Sequence, residues 1–146
     1  MANVIPFAFR GELFTGTHNF ASGGDDFKFA LYTANPYDTS STVYSATSEV
    51  SSAGGTNYTT TGNTLGSNAV ASSTAVASCD FADTQWTSAT ITAAYGVIYN
   101  SSTVDSLANR LCVVLDFSGS KSCTNGTFTI SFPDPSTPAD AIISMA

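Results

Sequence analysis

Turn-forming residues interrupt the apolar positions of this chain about every eight to twelve residues, the rhythm of short strands in an all-β fold. Phe27–Tyr32 reads as a strand that stops before Asn35-Pro36, and residues 42–50 read as the next, broken by Gly54-Gly55. Residues 58–73, rich in Thr, Asn, Gly and Ser, read mostly as loop with short edge strands. Residues 75–81 alternate with period two and place Val76 and Phe81 near a core. Across residues 85–92 the same alternation puts Trp86, Ser88, Thr90 and Thr92 on one face and Thr87, Ala89 and Ile91 on the other. The apolar run 95–100 starts so soon afterwards that a kink or bulge is expected near Ala93-Ala94.

Residues 110–117 are the most hydrophobic segment and read as a central strand. Residues 126–132 alternate cleanly and are its predicted partner, with Ser118-Gly119 and Asn125-Gly126 as turn formers between them. A last strand is expected over 139–145, after the proline-broken 134–138. Residues 103–109 are the one place where a helical turn is expected. Without helices to cover a sheet, two sheets must cover each other, so the expected architecture is an antiparallel β-sandwich, jelly-roll-like, over residues 21–146.

Residues 1–20 stand apart. Pro6, Phe7, Phe9, Leu13, Phe14 and Phe20 form an aromatic-rich, irregular pattern relieved by Arg10, Glu12 and His18. It reads either as a first strand laid on the sandwich or as an assembly arm that docks its aromatics on a neighbouring subunit. Phe7, Phe9, Leu13 and Phe14, together with the single tryptophan Trp86, are therefore the candidate assembly-interface residues.

Composition narrows the function. Of 146 residues only 10% are charged, against roughly 25% in an ordinary soluble domain. Eleven acids against four bases give a net charge of −7. The bases Arg10, Lys28, Arg110 and Lys121 are scattered, whereas counterion release on nucleic acid needs them clustered, so no nucleic-acid partner is expected. Anionic membrane surfaces are disfavoured for the same reason, and no run approaches the ~18 apolar residues of a membrane span. The residues before Pro6 carry no basic region of the kind that opens a secretory signal, so synthesis in a reducing cytoplasm is expected. Cys79, Cys112 and Cys123 lack metal-ligand spacing and read as free thiols, with a Cys112–Cys123 bridge across a hairpin as the alternative.

Chemistry-bearing patterns are sparse. His18 is the only histidine, and no G-x-S-x-G elbow accompanies it, so it reads as a packing or surface residue and no enzyme is expected. No cofactor or metal is expected: one His and three dispersed Cys do not make a zinc site, and Asp25-Asp26, Asp80 with Asp83, and Asp134 with Asp140 match no calcium loop. Trp86 and the tyrosines leave a carbohydrate-binding β-module open as an alternative function.

Three segments carry a resemblance. Phe27-Lys28-Phe29-Ala30-Leu31-Tyr32 is followed by Tyr44-Ser45-Ala46-Thr47-Ser48-Glu49-Val50, and then by Trp86-Thr87-Ser88-Ala89-Thr90-Ile91-Thr92-Ala93-Ala94-Tyr95-Gly96-Val97-Ile98-Tyr99. In this order they resemble a group of small tailed-phage virion proteins, with a likeness that runs from about residue 27 to residue 132. The resemblance implies a non-enzymatic structural protein of the virion, a capsid decoration or cement protein at the capsid surface, assembled in the host cytoplasm. Its implied partners are the major capsid protein and copies of itself, as a symmetric trimer suited to capsid three-fold positions. A tail or fibre subunit that binds the host surface is the alternative within the same group.

Overall fold

The structure, a computed structural model, describes residues 3–73, 75–133 and 141–145. Those residues form one short helix and two antiparallel sheets, a sandwich-like all-β fold. In chain order the elements are α1 (Phe7–Thr15), β1 (Phe27–Tyr32), β2 (Asn63–Thr64), β3 (Ala69–Ser72), β4 (Ala77–Asp80), β5 (Thr84–Val104), β6 (Leu107–Ile130) and β7 (Ile143–Met145). The larger sheet runs β2-β1-β5-β6 and the smaller β3-β4-β7.

One long hairpin, β5–β6, dominates. Its register pairs Thr84 with Ile130 at one end and Val104 with Leu107 at the other. Residues 103–109 are therefore a hairpin tip and not a helical turn. Asp105 and Ser106 both have positive φ, 49° and 66°, as a two-residue type I′ loop demands, and short polar side chains tolerate this best. The expected partnership of 110–117 with 126–132 is also corrected, because both segments lie in β6. Residues 110–116 instead face 95–100 of β5. The turn formers between them act as bulges. Ser118, Gly119 and Asn125 take positive φ within the strand, and four β6 residues, 117–120, stand opposite Ala94 alone.

A second bulge corrects the predicted faces of 85–92. Ser88 has φ 48°, and the register slips between Trp86 and Ala89. Trp86 therefore shares the inward face with Ala89, Ile91 and Ala93, all of them buried, while Ser88, Thr90 and Thr92 face out. The kink expected near Ala93-Ala94 is present as the slip between Ala93 and Tyr95.

Sheet β2-β1-β5-β6 is covered on both faces near its centre. On one face Phe27, Phe29 and Leu31 join Ile91, Ile98 and Cys112, and β4 and β7 of the smaller sheet add Cys79 and Ile143. On the other face Ala30, Tyr32, Val97, Tyr99, Leu111 and Val114 are sealed by Tyr37 and Tyr44 from irregular chain. The strand expected over 42–50 is thus absent: this segment forms no ladder and pairs with the sheet backbone at the isolated bridges Val43–Arg110 and Glu49–Tyr32. Gly62 makes a close crossing possible, since its φ is +73° and a Cβ there would lie 1.9 Å from the Phe29 carbonyl oxygen.

Residues 75–81 form β4 from Ala77, which buries Ser78, Cys79 and Phe81 and leaves Val76 half-buried. The last strand is short, Ile143–Met145, and residues 139–140 of its expected span lie outside the described residues.

The N-terminal segment is a helix, not a strand. Pro6 stands at its start, where a missing N–H costs nothing. Gly16 ends it in the left-handed conformation (φ 73°), and the N–H groups of Gly16 and Thr17 close on the carbonyls of Leu13 and Glu12. Phe9 is fully buried against Phe20 and His18, and Phe20 stacks on Phe27 with ring centroids 4.3 Å apart. Burial of Phe9 contributes about 2–3 kcal/mol to holding α1 on the sheet.

Candidate functional site

Three features gather the chemically capable side chains: a polar clasp under α1, a tyrosine knot around Glu49, and an apolar groove beside α1.

The clasp joins four elements of chain. Glu12 Oε1 accepts from Arg110 Nε at 2.7 Å and from the same guanidinium's terminal nitrogen, and Glu12 Oε2 lies 2.8 Å from His18 Nε2. Asn100 settles the histidine tautomer. Its Oδ1 accepts the Ser102 N–H at 3.0 Å, so its Nδ2 is the donor to Asp25 Oδ2 (2.8 Å) and to His18 Nδ1 (3.1 Å). His18 Nδ1 then accepts and Nε2–H donates to Glu12, so both ring nitrogens are engaged. Its side chain is wholly buried. Burial pushes the Glu12 carboxyl up, but the hydrogen bonds from Arg110 and His18, together with the Arg110 charge, outweigh that and hold it below the ordinary 4.5. Chemically, the clasp ties α1 and the loop after it to the β5–β6 hairpin, with its proton-carrying atoms turned away from solvent.

The knot explains the Tyr-Ser-x-x-x-Glu-Val motif. Glu49 Oε1 accepts from the Tyr58 hydroxyl at 2.6 Å and the Thr61 N–H at 2.8 Å, and Oε2 accepts from the Tyr44 hydroxyl. Tyr58 also accepts the Leu31 N–H, and Tyr32 and Tyr37 donate to the Ser45 carbonyl. Burial, and then the hydrogen bond to Glu49, pushes the Tyr58 phenol up, so it remains a donor. These bonds satisfy a segment that has no ladder of its own.

The predicted interface residues separate into two groups. Phe9 (0% exposed) and Trp86 (4%) lie inside the chain's own core, Trp86 against Tyr58 and Phe128. Phe7 (61%) and Phe14 (93%) stand in solvent, and Leu13 is half-buried between these environments. Beside them runs a groove of about 330 Å³ between α1 and β7, lined by Phe9, Leu13 and Phe14 on one side and Ile143 to Met145 on the other. Ile5, Val70 and Met145 extend the exposed apolar surface around it. Sequence reasoning found the aromatics of this face but missed the clasp. Glu12, His18, Asn100 and Arg110 are far apart in sequence, and only the fold brings them together.

The cysteines hold no metal-like cluster; among the described residues no group of three His, Cys, Asp or Glu is placed to bind an ion. All three thiols are free. Cys112 and Cys123 lie eleven positions apart on one strand, on the order of 30 Å, so the cross-hairpin bridge is excluded. Burial, and then the Asp80 carboxylate, pushes Cys79 up to about 12. No helix among the described residues is long and apolar enough to cross a membrane.

Together these features define a sandwich-like β-protein whose polar machinery points inward and whose aromatic helix points outward. Comparisons with protein-family models, with curated proteins and with solved structures return no match.

Proposed function

We propose that this protein is a non-enzymatic structural component of a tailed-phage virion, a decoration or cement protein that stabilises the head lattice through contacts with the major capsid protein. The observation that carries the reading is the outward apolar face of α1. A helix that buries Phe9 yet holds Phe14 93% and Phe7 61% exposed, beside a groove that also exposes Ile5 and Met145, is presenting an apolar surface, and contiguous apolar surface of this kind marks protein contact sites. The resemblance over residues 27–132 supports it from another side. Its large apolar motif residues Phe29, Trp86, Ile91 and Tyr99 lie in the core and Tyr44 and Glu49 in the knot, so the likeness includes fold-specifying positions. Low charge adds to this, because little charge must be desolvated when such a surface is covered. In this reading the protein acts at the capsid surface as a symmetric homo-oligomer, a trimer at three-fold positions.

Cosedimentation with undecorated heads tests the proposal. Saturable binding that raises the heads' resistance to heat or chaotrope is expected, with Phe7→Ser and Phe14→Ser together lowering affinity about tenfold or more. Absence of binding to heads, with density for this chain confined to the tail of the source particle, would refute it in favour of a tail or fibre subunit. The carbohydrate alternative loses its main support, because Trp86 offers no ring face to a sugar.

A further inference from the structure

The groove beside α1 has one wall of a distinct kind. β7 is an edge of the sheet β3-β4-β7 and, among the described residues, pairs on one side only, with β4 through Ala77–Met145, Ser78–Ser144 and Cys79–Ile143. An edge strand presents backbone N–H and C=O groups that a further strand can satisfy. The opposite wall is α1, which contributes Phe9, Leu13 and Phe14. A strand laid along β7 would therefore send every second side chain into an apolar trough.

Charge selects among possible occupants. Among the described residues Arg10 is the one charged side chain lining the groove, and it lies 4.7 Å over the Phe7 ring. In a chain of net charge −7 this is notable. Two of the other three cations are engaged internally: Arg110 holds Glu12, and Lys28 donates to Thr61 Oγ1. Arg10 is exposed, and its guanidinium is suited to a carboxylate in the fork geometry.

We infer that the α1–β7 groove is a strand-addition site for an extended segment of a partner protein, one whose alternate residues are apolar and which carries an Asp or Glu at the end that meets Arg10. This deepens the assembly reading and rests on it for the identity of the partner as a virion protein; the chemistry of the groove stands without it. An acidic second copy of this chain would bring its own net negative charge to the contact, which favours a different protein as donor of the strand.

The test uses the full chain and two acetylated, amidated hexapeptides of alternating valine and threonine, one ending in aspartate and one in lysine, at millimolar concentration. NMR would follow amide exchange at Ile143, Ser144 and Met145. Saturable binding of the aspartate peptide with slowed exchange at β7 is expected. Affinity should fall about tenfold for the lysine peptide, and for Arg10→Ala with the aspartate peptide. Phe14→Ser should weaken both peptides equally, and both variants should keep the parent circular dichroism because the replaced side chains are exposed. No saturable binding, or binding indifferent to Arg10→Ala, overturns the inference. Self-association abolished by Phe14→Ser without peptide binding overturns it in favour of a second copy. Head binding without peptide binding would sink this inference alone. Peptide binding without head binding would instead sink the virion reading and leave the groove.

Discussion

Replacing Glu12 by Gln keeps the shape of the side chain and removes its charge, so it measures what the clasp contributes. Glu12 accepts from Arg110 Nε at 2.7 Å and faces His18 Nε2 at 2.8 Å. A hydrogen bond to a charged group contributes about 1.5–3 kcal/mol, and Gln retains one acceptor oxygen while turning an amide toward the other donor. Arg110 is left with its side chain 14% exposed and, among the described residues, no ion-pair partner. Partial solvent access keeps that penalty below the roughly 3–5 kcal/mol of a fully buried broken pair. The expected loss is therefore about 2–4 kcal/mol, which lowers Tm by roughly 5–15 °C for a domain of this size.

Urea unfolding of both proteins across pH gives the sharper result. The folded Glu12 carboxyl lies below its ordinary value of 4.5, so its stabilisation is fully present above 4.5 and is lost as pH falls through the folded value. The stability gap between parent and Glu12→Gln should be level from neutral pH down to about pH 5.5 and close as pH drops below 4.5. A gap under about 0.5 kcal/mol at neutral pH, or one that widens on acidification, would refute the reasoning.

Two further outcomes follow from the same structure. Phe9→Ala should cost about 3–5 kcal/mol in the same unfolding assay, while Phe14→Ala, at a 93% exposed position, should stay within about 0.5 kcal/mol; equal effects would contradict the orientation of α1. Thiol titration of the native protein near neutral pH should find at most one accessible cysteine, the half-buried Cys123. Burial raises the Cys79 and Cys112 thiols, so both should react only after unfolding, and fast modification of two or three thiols in the native state would overturn this placement.

Much of the fold was legible from local pattern. Strand Phe27–Tyr32, the bulge near Ala93-Ala94 and the short edge strands within 58–73 follow from period-two alternation and turn chemistry, which act over a few residues. Where pattern failed, a long-range contact outweighed a local preference. Residues 42–50 read as a strand, yet their polar groups are satisfied by tyrosine hydroxyls and Glu49 instead of a ladder. Ser118-Gly119 and Asn125-Gly126 are strong turn formers, yet β5 offers a continuous partner, and positive φ there produces bulges.

The N-terminal segment shows the same division. Its aromatic positions fit neither a strand nor a single helical stripe, because Phe9 faces the core while Phe7 and Phe14 face solvent. By itself the sequence determined an acidic, low-charge, all-β chain with an unusual aromatic N-terminus, since composition and short-range periodicity carry that information. Only the tertiary structure decided that the N-terminus is a helix and that Glu12, His18, Asn100 and Arg110 meet beneath it. It also decided that β7 leaves an edge beside the helix. These are meetings of residues distant along the chain, and their energy depends on burial and geometry that no local pattern encodes.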